Sequence, residues 1–139
     1  MPKHITEHLS RATAYLSLPV PMGQSAWTPN TDVYETPHHL IVKMELAGIR
    51  KEDLEITLQD RLLVVRGHRA DNCPHRRQRC SFRQMEIDYG YFERRIIVPV
   101  TVNAASSQAH FHNGILRIEL PKTTRATPSA FTIVIEQIS

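Results

Sequence analysis

The chain has 139 residues, of which 41% are hydrophobic and 22% charged. These fractions are typical of a globular protein and exclude a wholly disordered chain, and the length suits one domain with short arms. The longest stretch without Asp, Glu, Lys or Arg, Ala12–Thr31, contains three prolines and many polar residues. It therefore predicts neither a membrane-spanning helix nor a signal peptide, and we expect a soluble cytoplasmic protein.

The N-terminal residues 1–26 are expected to form an arm. Ile5, Leu9, Ala12 and Leu16 recur at intervals of three and four, which predicts a short amphipathic helix that ends near Leu18, before a run of prolines. Nothing in the arm itself covers this apolar stripe, so the stripe must dock elsewhere or stay mobile.

From Trp27 onward the hydrophobic period changes to two, which predicts β-strands. The predicted strands are Leu40–Leu46, Leu54–Leu58, Leu62–Val65, the weaker Phe82–Ile87, Phe92–Val98, Ala109–His112 and Leu116–Leu120. The Asn113-Gly114 pair between the last two is a favoured hairpin turn. Seven or eight short strands about ten residues apart predict an all-β fold, an immunoglobulin-like antiparallel β-sandwich over residues 27–122.

The positive charge is concentrated in one segment of this region. Between Arg66 and Arg83 there are six arginines and one acidic residue, a charge of +5, whereas the whole chain carries +3. Such a segment can contact nucleic-acid phosphates, but only Phe82 offers an aromatic ring for base stacking. We favour a solvated loop whose arginines pair with carboxylates of a partner subunit, and keep nucleic-acid binding as a weaker alternative.

Both cysteines, Cys73 and Cys80, lie in the same segment as His68 and His75. Four such side chains could bind zinc, but the spacing C-x-H-x4-C matches no common zinc finger. Two cysteines are too few for a disulfide framework, and a reducing cytoplasm would keep them as thiols. We therefore predict no metal and no cofactor.

Residues 123–139 form a C-terminal extension. A polar, flexible stretch, Thr123–Ser129, precedes the β-prone residues Phe131–Ile135. In an extended strand Ile133 and Ile135 point to one face, about 6.6–7 Å apart, which is typical of a peptide that docks on an exposed sheet edge. The alternative, a final strand of its own sandwich, stays open.

Several short motifs share the order and spacing of one protein family. Ala109–Leu116 is similar to the pattern A-x-x-x-N-G-V-L, with isoleucine for valine, and Ile133-Val134-Ile135 is similar to a C-terminal I-x-I. Further similar segments are Trp27–Glu35, Met44–Leu54 (L-P-G…D-L), Leu63–Arg69 (L-x-I-x-G-x-R) and Phe92–Pro99 (F-x-R-x-F-x-L-P). Together they resemble the small heat-shock proteins, whose core is the α-crystallin domain. Departures are Ala47 for the usual proline, Ile96 for an aromatic residue, His68 for an acidic residue or lysine, and the basic segment with its cysteines.

The resemblance implies an ATP-independent chaperone, a holdase that keeps partly unfolded client proteins soluble under stress for ATP-driven chaperones. It also implies an oligomer built from dimers that exchange a strand of the long loop. The implied dimer contacts are Ser81, Phe82, Met85, Ile87 and Arg94. The implied oligomer anchor is Ile133, Val134 and Ile135, in a neighbouring subunit's groove lined by Leu54, Ile56, Leu58, Ala109 and Phe111. We assign client binding to the N-terminal residues Ile5, Leu9, Leu16 and Leu18.

Other function classes fit the sequence less well. No nucleophile elbow, zincin motif or carboxylate pair suggests an enzyme, and His110 and His112 share a strand face without a third ligand. A co-chaperone or adaptor on the same sandwich is the main alternative, since a fold does not fix a function. Such an adaptor would not need the apolar tail. The eight histidines also suggest that protonation near pH 6 loosens subunit contacts.

Overall fold

The computed structural model describes residues 25–71, 75, 78, 80–125 and 130–137. Within these residues the chain forms two packed β-sheets, so the predicted all-β sandwich is confirmed. The predicted N-terminal helix lies outside the described residues. The strands are β1 (Thr31–Glu35), β2 (His39–Glu45), β3 (Leu54–Gln59), β4 (Leu62–Arg69), β5 (Gly90–Ile97), β6 (Gln108–His112), β7 (Ile115–Pro121), β8 (Phe131–Thr132) and β9 (Ile135–Gln137).

The two sheets contain five and four strands. The strand order is β1-β2-β7-β6-β9 in one sheet and β5-β4-β3-β8 in the other. Neighbouring strands in these two sheets are antiparallel, except that β9 runs parallel to β6. As predicted from its apolar character on both faces, β4 is a central strand. It buries Val65 on the inner face and Val64 on the outer face.

The core lies between the sheets and follows the period of two. The core-facing residues lie two apart along β2 and β7 in the five-stranded sheet and along β3 and β4 in the four-stranded sheet, and Ile41 and Val64 are buried on the outer faces as well. The core-facing side chains include Leu40, Val42, Met44, Leu116, Ile118, Leu120, Ile56, Leu58, Leu63 and Val65, each at most 2% exposed. Their burial is the main source of stability in a sandwich of this size.

Strand β1 was not predicted from the periodicity. It lies at the edge of the five-stranded sheet, where Val33 and Tyr34 are 44% and 46% exposed. Because neither of its faces is buried, its sequence has no alternation of apolar and polar residues to detect.

The predicted strand Phe82–Ile87 is wrong for the single chain, which has no strand there. Phe82, Met85 and Ile87 are 51%, 62% and 65% exposed. A segment with apolar residues forms a strand only where a neighbouring strand supplies backbone hydrogen bonds. No described strand of this chain pairs with Phe82–Ile87.

Two turns fit the chemistry of their residues. Asn113 and Gly114 join β6 to β7 with φ angles of 50° and 77°, as the predicted two-residue hairpin turn requires. Asn103 caps the 3-10 turn Ala104–Ser106 by accepting a hydrogen bond from the N–H of Ala105 (3.1 Å). This second turn leads the chain into β6.

Gly67 lets the aromatic ring of Phe92 occupy the core. A Cβ atom at position 67 would lie 2.5 Å from Phe92 Cε2 and 2.8 Å from Leu54 Cδ2. Phe92 is fully buried and packs edge-to-face on Trp27, with ring centroids 5.3 Å apart. The ring therefore has no room to retreat from a larger residue at position 67.

We expect Gly67→Ala to lower the free energy of unfolding by about 1–3 kcal/mol, the usual cost of overpacking a core. Urea unfolding at fixed protomer concentration measures this change. His68→Ala, on the exposed face of the same strand, is the control and should stay within about 0.5 kcal/mol of the parent. Equal stability of the two variants would contradict the packing argument.

Candidate functional site

The C-terminal segment 131–137 bridges the edges of the two sheets. Its first part, β8, pairs antiparallel with β3, and the N–H of Ile133 donates to the carbonyl oxygen of Ile56 (2.9 Å). Its second part, β9, pairs in parallel with β6, with Ile135 opposite Ala109. One short segment thus supplies hydrogen bonds to an edge strand of each sheet.

The side chains of the I-x-I motif alternate strictly between core and solvent. Ile133 and Ile135 are each 5% exposed and belong to the main hydrophobic cluster, whereas Val134 is 76% exposed. Burying an isoleucine contributes about 1.5–3 kcal/mol. Within the motif the two isoleucines therefore supply the apolar contribution to docking, and Val134 supplies little of it.

The residues predicted to form the groove lie beneath this motif. Ile56, Leu58, Ala109 and Phe111 are buried in the same cluster, and the partly buried Leu54 packs against it. The structure brings the predicted anchor and the predicted groove together within one chain. The sequence left open whether the tail docks on its own subunit or on a neighbour, and here it lies on its own sandwich.

Phe131 extends this contact and was missed in the assignment of the anchor. It lies opposite Leu58 in the pairing of β8 with β3 and packs, partly buried, against the core. Phe131, Ile133 and Ile135 are each two residues apart, so the same alternation that marks the isoleucines also marks the phenylalanine. The docked segment therefore has three apolar side chains on its inner face.

The residues assigned to dimer contact lie apart from this groove. Ser81, Phe82, Met85 and Ile87 are exposed in the segment before β5. Arg94, by contrast, is 7% exposed, and its Nη1 donates to the carbonyl oxygen of Pro29 (2.8 Å) and to Thr31 Oγ1 (2.9 Å). Arg94 is therefore not a surface arginine, because it ties β5 to the start of β1 inside the chain.

Arg69 organises the point where the exposed segment rejoins the sandwich. Its guanidinium lies 4.0 Å from the ring centroid of Trp27, and its Nε donates to the carbonyl oxygen of Asp88 (2.7 Å). Its Nη1 donates to the carbonyl oxygen of Ala47 (3.1 Å), and Trp27 Nε1 donates to that of Gly90 (2.9 Å). The sequence marks Arg69 only as part of a motif, since these partners come from three distant parts of the chain.

The described part of the chain contains no candidate metal site. No group of three or more His, Cys, Asp or Glu side chains close enough to hold a metal ion occurs there. Of the candidate ligands, Cys80 is an exposed free thiol and Cys73 lies outside the described residues. Among the described residues there is also no helix with the length and apolar character needed to cross a membrane.

Replacing Phe131 with alanine should weaken docking of the tail by about 1–2 kcal/mol, since the substitution removes a partly buried aromatic ring from the contact. This loss corresponds to a roughly five- to thirtyfold increase in the exchange rate of the Ile133 amide hydrogen. Hydrogen exchange read by mass spectrometry measures it. Thr132→Ser, at the exposed neighbouring position, is the matched control. Exchange equally slow in both variants would show that Phe131 is not part of the anchor.

Comparison with known proteins agrees with this geometry. Residues 32–136 match the Hsp20/alpha crystallin family. The chain is 32% identical to small heat shock protein C2 of Rickettsia felis over 68% of this chain and 60% of that protein. It is 29% identical to heat shock protein 16 of Schizosaccharomyces pombe over 71% of this chain and 69% of that protein. The matched region thus spans less than two thirds of the Rickettsia protein.

Solved structures give the same result. Heat shock protein 16.0 from Schizosaccharomyces pombe superposes with a TM-score of 0.66 and 28% identity, covering 74% of this chain and 94% of that one. The hspA protein from Xanthomonas axonopodis superposes with a TM-score of 0.63 and 31% identity, covering 72% and 98%. The family match over residues 32–136 includes strands of both sheets and the docked I-x-I motif. This chain therefore belongs to the Hsp20/alpha crystallin family and is a small heat shock protein.

Proposed function

We propose that this protein is an ATP-independent holdase that binds partly unfolded proteins and prevents their aggregation under stress. The observation that carries the proposal is the apolar tail on a polar tether, docked in a groove that a second copy of the chain also possesses. A holdase acts by binding unfolded chains and needs no chemical step, so we propose neither a catalytic group nor a cofactor. We further propose that it acts in the cytoplasm and upstream of ATP-driven chaperones.

The tail and the groove that it occupies need not belong to the same chain, so this contact can link two subunits. A neighbour's groove offers the same edge strands and the same apolar side chains as the chain's own groove, which is the condition for exchanging an element between copies. The eight residues 123–130 between domain and tail span about 26–29 Å when extended, enough to reach an adjacent subunit. We propose that Ile133, Val134 and Ile135 anchor the oligomer in this way.

A second contact is proposed for the dimer. The segment 81–89 exposes Met85 and Ile87 and pairs with none of the described strands, and β1 lies at the edge of its sheet with the exposed residues Val33 and Tyr34. Adding a partner's segment to a free edge satisfies the backbone groups of both. The dimer then forms through Ser81, Phe82, Met85 and Ile87, with Arg94 bracing the strand β1 that receives them.

The proposed organisation has three parts: an arm of residues 1–26, an α-crystallin domain of residues 27–122 and an extension of residues 123–139. The arm carries Ile5, Leu9, Leu16 and Leu18, which we propose as the client-binding surface. An apolar stripe of this kind suits clients that expose apolar segments of many sequences. These four residues lie outside the described residues, so the assignment is based on their spacing alone.

Replacing both Ile133 and Ile135 with alanine should reduce the oligomer to dimers, because each subunit loses two buried isoleucine side chains from the linking contact. Light scattering coupled to gel filtration measures the mass. Val134→Ala, at a position 76% exposed, is the control and should leave the mass unchanged. A double variant with the mass of the parent would contradict the anchoring role.

Addition of the chain to a heat-labile client protein, without ATP, should suppress light scattering at a ratio of a few subunits per client. The Val134→Ala variant should suppress it equally, whereas Leu9→Ser with Leu16→Ser should suppress it less. No suppression at any ratio and at elevated temperature would favour the alternative, an adaptor on the same sandwich with a dedicated partner.

A further inference from the structure

A row of side chains on the outer face of the four-stranded sheet becomes more buried toward the edge of that sheet. The strand register places Glu55 of β3, Arg66 of β4 and Glu93 of β5 in line, on the face opposite the core. Their side chains are 57%, 45% and 4% exposed. Because β5 is the edge strand, Glu93 would be the most exposed of the three if nothing covered this face.

The next row of the same face shows the same trend. Thr57, Val64 and Arg95 lie in line, and exposure falls from the half-buried Thr57 to 8% at Val64 and 7% at Arg95. Glu93 accepts hydrogen bonds from Nε of Arg66 (2.7 Å) and Nε of Arg95 (2.8 Å), but these bonds within the face do not shield it from water. The other sheet packs on the opposite side, so a further part of the chain covers the β5 half of this face.

We propose that this cover is the chain's own N-terminal arm, with its apolar stripe Ile5, Leu9 and Leu16 packed across β5 and β4 at Val64. The arm itself lies outside the described residues, and the outer face is what the structure shows of the contact. The inference goes beyond the proposed function, because the contact needs neither a client nor a second subunit.

The point where the arm joins the sandwich favours this occupant. The N–H of Ala26 donates to the carbonyl oxygen of Tyr91 (2.6 Å), so the chain leaves the arm directly beside β5. Tyr91 is two residues before Glu93 and hence on the same face of the same strand. The arm is therefore attached at the edge where the outer face is most buried.

Two internal stretches outside the described residues fit this face less well. Residues 126–129 lead into β8, at the opposite edge of the sheet from β5. The stretch 72–79 contains three arginines and no acidic residue, so on this face it would add positive charge beside Arg66 and Arg95. Neither stretch has the apolar residues that a cover over Val64 requires.

The dimensions and chemistry of the arm also match the face. A helix over Ile5–Leu18 would be about 21 Å long, and the outer face from Tyr91 to Arg95 extends about 13 Å. Residues 19–24 span up to about 20 Å when extended, which lets the helix turn back from Ala26 over the sheet. Val64 and the aliphatic parts of the two arginine side chains give the stripe an apolar surface.

Thiol labelling of the full-length protein tests the proposal. Val64→Cys, a nearly volume-conserving change, is made together with Cys73→Ser and Cys80→Ser, so that the only thiol lies beneath the proposed cover. Leu9→Ser with Leu16→Ser should raise the labelling rate of this thiol about tenfold, because two leucines are lost from the contact. Ser10→Ala with Ser17→Ala, on the opposite side of the predicted helix, is the matched control and should leave the rate unchanged.

Ile97→Cys in the same cysteine-free background reports on the uncovered end of the face. Ile97 is 56% exposed, so its thiol should react equally fast with either pair of arm substitutions. The same labelling rate at position 64 in the leucine and serine variants would overturn the proposal, as would equal acceleration at positions 64 and 97.

A disulfide cross-link identifies the chain that supplies the cover. Leu9→Cys with Val64→Cys should form a disulfide within one chain under mild oxidation, seen as a monomer band on a non-reducing gel, whereas Ser10→Cys with Val64→Cys should form far less. A disulfide that joins two chains would overturn the proposal, because it would assign the cover to the arm of a neighbouring subunit. Equal cross-linking from positions 9 and 10 would contradict the packing of the stripe.

Discussion

The closure of one open side of the sandwich is the constraint on which the rest of the structure depends. Strands β3 and β6 are edges of different sheets, and both need partners for their backbone N–H and C=O groups. A single segment, residues 131–137, reaches both edges and fills the space between them with Ile133 and Ile135. The segment pairs with β3 in its first part and with β6 in its second part, so the short strands β8 and β9 form one continuous contact with both sheets.

The same constraint explains why this contact suits a subunit link. A groove without a tail would expose apolar side chains such as Leu58 and Phe111 beside unpaired strand edges, a combination that promotes aggregation. Each groove therefore requires a tail, but nothing in its chemistry requires the tail of the same chain. Under the proposed function, the requirement is met by a neighbour, and closure of the sandwich and assembly of the oligomer become one event.

Two arginine side chains fix segments outside the groove to the sandwich. Arg94 fixes the start of β1 to β5, and Arg69 fixes Trp27 and Asp88 to the turn at Ala47. Arg69, the last residue of β4, therefore contacts Asp88 just before β5, and Arg94 attaches β5 itself to the start of β1. Under the proposed function, the exposed stretch before β5 extends toward a partner while its ends stay fixed to the sandwich.

The accuracy of the sequence predictions follows the physical signal that each element carries. Strands β2, β3, β4 and β7 were predicted because burial of one or both faces imposes a pattern on their residues. Strand β1 has two exposed faces and hence no pattern, whereas Phe82–Ile87 has apolar residues but pairs with none of the described strands. Family motifs supplied the tail and its groove, which local periodicity alone left undecided.

The parts of the site that were missed depend on register between distant strands. The pairing of His110 with Glu136 joins residues 26 apart in sequence, and it requires β9 to be parallel to β6 in one particular alignment. Phe131 carries a local signal, the extended alternation, but its contact with Leu58 again depends on where β8 meets β3. Sequence periodicity specifies which face of a strand is buried, and it does not specify which residue lies opposite.

The energetics explain why such flanking contacts matter. Ordering each residue of the tail costs about 1–2 kcal/mol of backbone entropy, and each buried isoleucine returns about 1.5–3 kcal/mol. Over a segment of seven residues the entropy cost exceeds what the two isoleucines return, so docking also needs the backbone hydrogen bonds to both strand edges and the contact of Phe131. In a balance of that kind a contribution of about 1 kcal/mol shifts the equilibrium about fivefold. The contact of the partly buried Phe131 then decides how often the tail leaves its groove.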